Sequence, residues 1–440
     1  MESAPPQMIE WIERTTGGRA VHSERQPRWR PAWFIDIERD GDILPVYFRG
    51  DRGSLDHGVY TLEHEYRVLQ VLEAEGIAVP HVYGFCPDPK GIAMQRVAGR
   101  ANLLTVDDAG ERRAILNDYM AWLARIHRIG TRPFEAAGLS VGGGDLIMAD
   151  FDRWEDTYRA KKARPEPFIE FAIGWLRRDP PARRAEPTLV VGDSGQFLFD
   201  AGRVSAVIDL ELAYLGDPLH DLACMRLRDL AEPLGPLAPA FAHYESEMGT
   251  PIDRAALDFH TVRFAVCTPM SVSHVLANPP GDIDLVRYLV WYVQFSRVAL
   301  EIMAGIAGIT LEPPPVAEVE ATRFVDGFVM LDAALADIAP DDPQQQFRLD
   351  VAQRLSAFLR CVNELGPQLE RDDLDDAAML LGARPVSWRD CDVALEAFVA
   401  KVDGSADAEL IRLFHRRMSR WQQLIEIGMR NRLYSAQPLR

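Results

Sequence analysis

The chain has 440 residues, 48% hydrophobic and 26% charged, with a net charge of −18 at pH 7. This length exceeds one compact core, so two or three domains are expected. The acid excess repels nucleic-acid phosphates and anionic lipid, arguing against both as partners, yet a local pocket for a nucleotide can still be positive.

The N-terminal stretch MESAPPQMIEWIERTTGG lacks the basic and apolar regions of a signal peptide. Residues 19–26, 32–40 and 42–50 read as strands, the last two joined at the hairpin signal Asp40-Gly41. In residues 61–76, Leu62, Tyr66, Leu69 and Leu72 recur at helical spacing, with Thr61 as N-cap and Gly76 supplying a left-handed end. Residues 79–97 read as two more strands around CPDPKG. Residues 1–97 thus form an α+β unit of three strands, a helix and two strands.

Residues 98–337 are mainly helical, with amphipathic segments at 115–130 and 166–179 and longer ones at 258–277 and 284–308. Arg287, Gln294, Arg297 and Glu301 interrupt the last, so it is expected as a buried helix and no membrane partner is expected. Residues 338–346, rich in Pro, Asp and Gln, suit a linker, and residues 347–440 read as an all-helical tail domain. Cys86, Cys224, Cys267, Cys361 and Cys391 have no CxxC or Cys/His spacing, as expected of buried thiols in a reducing, cytoplasmic compartment.

The chemistry concentrates in residues 190–223, VVGDSGQFLFDAGRVSAVIDLELAYLGDPLHDLA. Phosphoryl transfer needs clamped nucleotide phosphates, Mg²⁺ and a carboxylate to accept the hydroxyl proton of the acceptor. Asp193 ends a strand-like run, and a hairpin turning at Asp200-Ala201-Gly202 would return Asp209 to the same mouth. Asp193 suits the base and Asp209 the metal ligand. Both residue types also occur as ordinary turn and strand-end aspartates. Asp217 suits an N-cap, Asp221 a loop brace. His220, Arg226 and Arg228 follow; the arginines either meet an anionic substrate or, more commonly for such residues, lie at the surface.

AVIDLELAYLGDPLHDLA resembles the second half of the catalytic motif of the aminoglycoside phosphotransferase/choline kinase-like superfamily, especially the branch of kinase domains joined to acyl-CoA dehydrogenases. EHEYRVLQVLEAEGIAVPHVYGFCPDP, IAMQRVAGR and WLARIHRIG agree with that family in order and spacing, and the resemblance spans about residues 15–330. It implies a bilobal protein-kinase-like fold: a small N-terminal antiparallel sheet plus helix, then a large helical lobe, here followed by the helical tail. Carried over by position, Asp193 is the catalytic base and Asp209 the Mg²⁺ ligand. Arg49 meets the nucleotide phosphates and Glu65 pairs with it as a bidentate fork. The hinge from Gln95 to Val97 offers backbone groups to adenine.

The chain departs from the pattern in two places. Val191 replaces the family histidine, and Gln196 falls where the metal-binding asparagine should be, in a loop that is two residues shorter; Gln196 either ligates Mg²⁺ or braces the loop. PRWRP stands where the Gly-rich loop belongs, with Arg28 and Arg30 either binding phosphate through their guanidinium groups or packing the strand connection, and Trp29 as a cover. The resemblance implies an ATP- and Mg²⁺-dependent kinase for a hydroxylated small molecule, such as a hydroxyacyl-CoA. The alternative is a pseudokinase that binds nucleotide or acts as a scaffold. The tail would serve self-association or a protein partner.

Overall fold

The computed structural model describes residues 4–26, 30–53, 59–141, 145–182, 186–281, 283–319, 322–429 and 434–439. Chain order begins with α1 (Pro6–Thr16), β1 (Arg19–Arg25), β2 (Ala32–Arg39), β3 (Asp42–Gly50), α2 (Leu62–Ala74), β4 (Val82–Pro87) and β5 (Lys90–Gln95). Then come α3 (Ala109–His127), α4 (Arg132–Ala136), α5 (Phe151–Lys161), α6 (Pro167–Arg178) and the short strands β6 (Thr188–Val190), β7 (Phe197–Asp200), β8 (Arg203–Val207) and β9 (Tyr214–Gly216). The remainder is helical: α7 (Leu219–Arg228), α8 (Leu237–Met248), α9 (Arg254–Ala277), α10 (Leu285–Ala307), α11 (Val325–Ala336), α12 (Pro343–Leu381), α13 (Trp388–Val399) and α14 (Asp407–Met429). This is the α+β arrangement expected from the sequence, a small antiparallel sheet with its helix followed by mainly helical structure.

Two compact units divide the chain differently from the plan of lobes ending at 97 and 337. The first holds residues 1–150, 183–253 and 437–440; the second holds 151–182 and 254–436. Residues 347–429 are therefore no separate tail. In the second unit α10 packs on α9 and α14, α12 on α11, α13 and α14, and α13 on α6. The expected linker is shorter than residues 338–346, because Asp342 caps α12 by accepting from the Gln344 amide at 3.0 Å and the helix starts at Pro343. Among the described helices only α10 is long and apolar enough to cross a membrane, and over half of its apolar window is buried.

In the first unit the five-stranded sheet runs β1-β2-β3-β5-β4, all antiparallel. Alternation along β2 sends Trp33, Ile35 and Ile37 to one face, where they meet Val46, Phe48, Cys86 and Ala93. A helix that the sequence reading did not anticipate, α1, closes this face with Met8 and Ile12. Met8, Ile9, Trp11 and Ile12 mark an apolar face at helical spacing behind a proline suited to the first turn, a local signal that the sequence reading passed over. On α2 the buried stripe is Leu62, Glu65, Val68, Leu69 and Leu72; Tyr66 lies off it, and the buried carboxylate of Glu65 takes an inward position. All five cysteines are buried thiols outside any disulfide.

Gly91 on β5 lies beneath the Phe48 ring, and a Cβ there would come within 2.0 Å of the ring. Gly91→Ala is therefore expected to overpack the sheet and lower stability by about 1–3 kcal/mol. Urea unfolding reads this directly; a midpoint equal to the parent's would contradict the packing.

Candidate active site

The loop after β6 is held from below by buried polar groups. Asp221, on α7, accepts the Val191 amide at 2.8 Å and the Gly192 amide at 2.9 Å, the loop brace expected from sequence. His127, at the end of α3, places Nε2 2.9 Å from the same carboxylate and Nδ1 2.7 Å from the Tyr244 hydroxyl. Tyr119, about two turns earlier on α3, lies 2.7 Å from Ser194 Oγ and accepts the Gly195 amide at 2.8 Å, while its ring stacks on Phe197 at 4.5 Å. Each of these buried groups is satisfied, which fixes the loop in place. Asp217 accepts the Leu219 amide at 3.0 Å and so serves the first turn of α7.

The hairpin β7–β8 turns at Ala201 and Gly202, both with positive φ, in the manner of a tight hairpin turn. Pairing of β6 with β9 closes the other side of the mouth. Asp193 and Asp209 thereby reach the same site, close enough for the charge of one to act on the titration of the other. Both have left-handed backbones, φ 42° and 63°. Non-glycine residues in that region carry strain that the surroundings must hold, and such residues concentrate at functional sites.

Asp193 pairs with Arg228 of α7 and accepts Gln196 Nε2 at 3.1 Å, with about a third of its side chain exposed. Burial raises its pKa above the ordinary aspartate value, Asp209 and Glu211 add to the rise, and Arg228 opposes it. Asp209 behaves oppositely: burial alone would raise its pKa, but Arg49, Arg30, Arg228 and Arg52 hold it well below the usual carboxylate range. It is an anion at any physiological pH.

Arg49 forms the centre of the site. Its Nε donates to Glu65 at 2.9 Å, and its Nη2 donates to Asp209 and, at 2.8 Å, to Glu211. The expected fork onto Glu65 is thus a single bond, with the rest of the guanidinium turned to the loop after β8. Arg30 Nη2 meets Glu211 at 2.8 Å and Arg52 pairs with the same carboxylate. Arg49 stays protonated: burial would lower its pKa, but three carboxylates raise it well above the ordinary value. Glu65 is pushed up to about 7 by burial, since Arg49's charge is divided among it, Asp209 and Glu211.

Of the residues selected from sequence, Asp193, Asp209, Gln196, Arg49, Glu65 and Arg30 come together here. Arg28 and Trp29 lie outside the described residues. Gln95 and Val97 lie apart from the charged cluster, at the end of β5. There the Gln95 amide donates to His81 O at 2.8 Å and the Arg96 amide to Pro45 O at 3.0 Å. The surface reading of Arg226 and Arg228 is corrected, because α7 is buried along almost its whole length. Sequence reasoning passed over Glu211, Arg52, Tyr119 and His127. Glu211 was marked by its place in AVIDLELA, two residues after Asp209, and His127 by its place in WLARIHRIG.

Among the described residues no three His, Cys, Asp or Glu side chains cluster closely enough to hold a metal by themselves. Hard oxygen donors are nevertheless present in the ionised Asp209 and in Glu211. A hard cation that takes one or two carboxylates and completes its shell with phosphate and water, as Mg²⁺ does, fits this donor set. Gln196 as placed directs its amide nitrogen to Asp193, the bracing role, and its carbonyl oxygen remains for a cation.

The model of the phosphotransferase enzyme family matches residues 50–260. Among curated proteins, acyl-CoA dehydrogenase family member 10 of Mus musculus is 31% identical over 207 residues, 44% of this chain and 19% of that protein. Acyl-CoA dehydrogenase family member 11 of Homo sapiens is 29% identical over 183 residues, 39% of this chain and 23% of that protein. The chain thus spans about a fifth of the length of these relatives. Among solved structures, the macrolide 2'-phosphotransferase MphH of Brachybacterium faecium is similar, with 17% identity, 62% of this chain and 93% of that one covered, and a TM-score of 0.45. A fructosamine-3-kinase so described from Thermobifida fusca gives 16% identity, coverage of 68% and 100%, and a TM-score of 0.42. Residues 50–260, just under half of the chain, are thus similar to the phosphotransferase enzyme family.

Proposed function

We propose that the chain is an ATP- and Mg²⁺-dependent kinase that phosphorylates a hydroxyl group of a small molecule. The observation that carries this reading is the delivery of Asp193 and Asp209 to one mouth beside a buried arginine tied to α2. Asp193 accepts the proton of the acceptor hydroxyl as its oxygen bonds to the γ-phosphorus and the bridging P–O bond breaks, releasing ADP. Asp209 and Glu211, with the Gln196 carbonyl, would hold Mg²⁺, which neutralises phosphate charge when bound. Arg49 and Arg30 turn to the phosphates, and the backbone from Gln95 to Val97 takes the adenine. The likeness to acyl-CoA dehydrogenase family members supports a hydroxylated catabolic intermediate, hydroxyacyl-CoAs included, as acceptor.

Asp193→Asn should retain ATP binding by calorimetry and lose ADP release by about 10³-fold, within the span that a positioned base contributes. Asp209→Asn should lose the Mg²⁺-dependent part of ATP binding. Binding without turnover across hydroxyacyl-CoAs and simpler alcohols would instead support a pseudokinase, and absence of nucleotide binding would end both readings.

Asp193 must be ionised to act as base, so kcat/KM should fall as pH drops through its raised pKa. Arg228 opposes that rise. Arg228→Met should therefore move the acid limb of the kcat/KM profile to higher pH. An unmoved limb would show that Asp193 is not the titrating base.

A further inference from the structure

The second unit contains a half-open cavity of about 900 Å³, built from the start of α6, the ends of α9 and α10 that face it, and α12 to α14. It uses no residue of the site described above. Its wall is mainly apolar, with Leu289, Leu374 and Leu424 beside the aromatic rings of Tyr292, Trp388 and Trp421. This volume and lining are those of a small-molecule site.

The charges in the wall specify the class of ligand. Four arginines (Arg164, Arg371, Arg384, Arg417) face four carboxylates (Glu166, Glu370, Asp373, Asp392), so the lining carries no net charge. The buried members are already paired. Glu166 accepts Arg164 Nε at 2.8 Å and the Tyr292 hydroxyl at 2.7 Å, and Asp392 accepts Arg417 Nη1 at 2.8 Å. Asp373 accepts Arg420 Nη1 at 2.5 Å. A ligand ion seated among these buried groups would have to break one of their desolvated pairs, at high cost; the remaining charges of the wall, Glu370, Arg371 and Arg384, are exposed to water.

Two further features point to an occupant. Val386 at the rim is 90% exposed and Trp388 is 40% exposed, apolar surface that a bound molecule would cover. Gly366 lies within the 39-residue helix α12 and lines the cavity, although glycine weakens a helix interior by roughly 1 kcal/mol. A Cβ at Gly366 would touch only Val362 of the same helix, at 3.5 Å. The missing side chain therefore enlarges the cavity without relieving any clash.

We propose that this cavity binds an uncharged, largely apolar small molecule at a site separate from phosphoryl transfer. The test uses the full chain and the neutral fluorophore N-phenyl-1-naphthylamine, followed through its own emission and energy transfer from tryptophan. Saturable one-to-one binding is expected, at least tenfold weaker in Gly366→Phe and unchanged in Gly366→Ala. Leu289→Trp fills the cavity from α10 and should give the same loss should Gly366→Phe not fold. 1-Octanol should displace the fluorophore at lower concentration than octanoate or octylammonium. Non-saturable binding, or binding indifferent to both filling variants, would overturn the site, and better displacement by either ion would overturn the ligand class. Self-association of the parent that Gly366→Phe abolishes, with fluorophore bound only by monomer, would overturn the proposal in favour of a second copy as occupant.

Discussion

One buried guanidinium sets the conditions for the first unit. Arg49 stands between Glu65 on a helix and Asp209 and Glu211 on a loop, with Arg30 and Arg52 completing the group. Three arginines against three carboxylates leave this locus near neutral in a chain with eighteen excess negative charges. Withdrawing so many ions from water is expensive, and mutual pairing is what offsets the expense. Removing any single member would strand the others, so β3, α2 and the loop after β8 are held in mutual register by charge as well as by packing.

On the proposed function, the same network would let a strongly acidic protein receive a polyphosphate. The carboxylates hold the arginines in place, and keep Arg49 charged, before any ligand arrives, which is the preorganisation that electrostatic catalysis requires. Asp193 belongs to a different balance. Burial favours its protonated form and Arg228 its ionised form, so desolvation and a neighbouring charge pull the group in opposite directions. The scaffold beneath it, Asp221 with His127 and Tyr244, is entirely buried and contributes position rather than chemistry.

Much of this was legible in the sequence, for identifiable reasons. Strands β1 to β3 and α2 follow alternation, a turn dipeptide and helical spacing, all of which act over short range. The Asp193–Asp209 juxtaposition was legible because a hairpin has few ways to return a chain. Long-range charge pairing was less so: nothing local told that Arg228 would face Asp193, or that Glu211 would gather three arginines. The division into units failed for a related reason. Composition marks a linker near residue 340, but α10 and α14 find each other across more than a hundred residues, and only tertiary packing decides that.

That division affects how the protein can be made. The first unit is assembled from three separate stretches, and Gln437 completes it by donating to Asp229 Oδ2 at 2.7 Å and to Gly235 O at 2.9 Å. The second unit likewise needs residues 151–182 before the helices that cover them exist. Neither unit can be finished in order of synthesis: α5 and α6 emerge from the ribosome well before α9, and must wait with Phe168 and Phe171 uncovered until Phe414 is made. During translation this chain should therefore depend on chaperones that shield apolar helices more than a protein whose domains follow one another along the sequence.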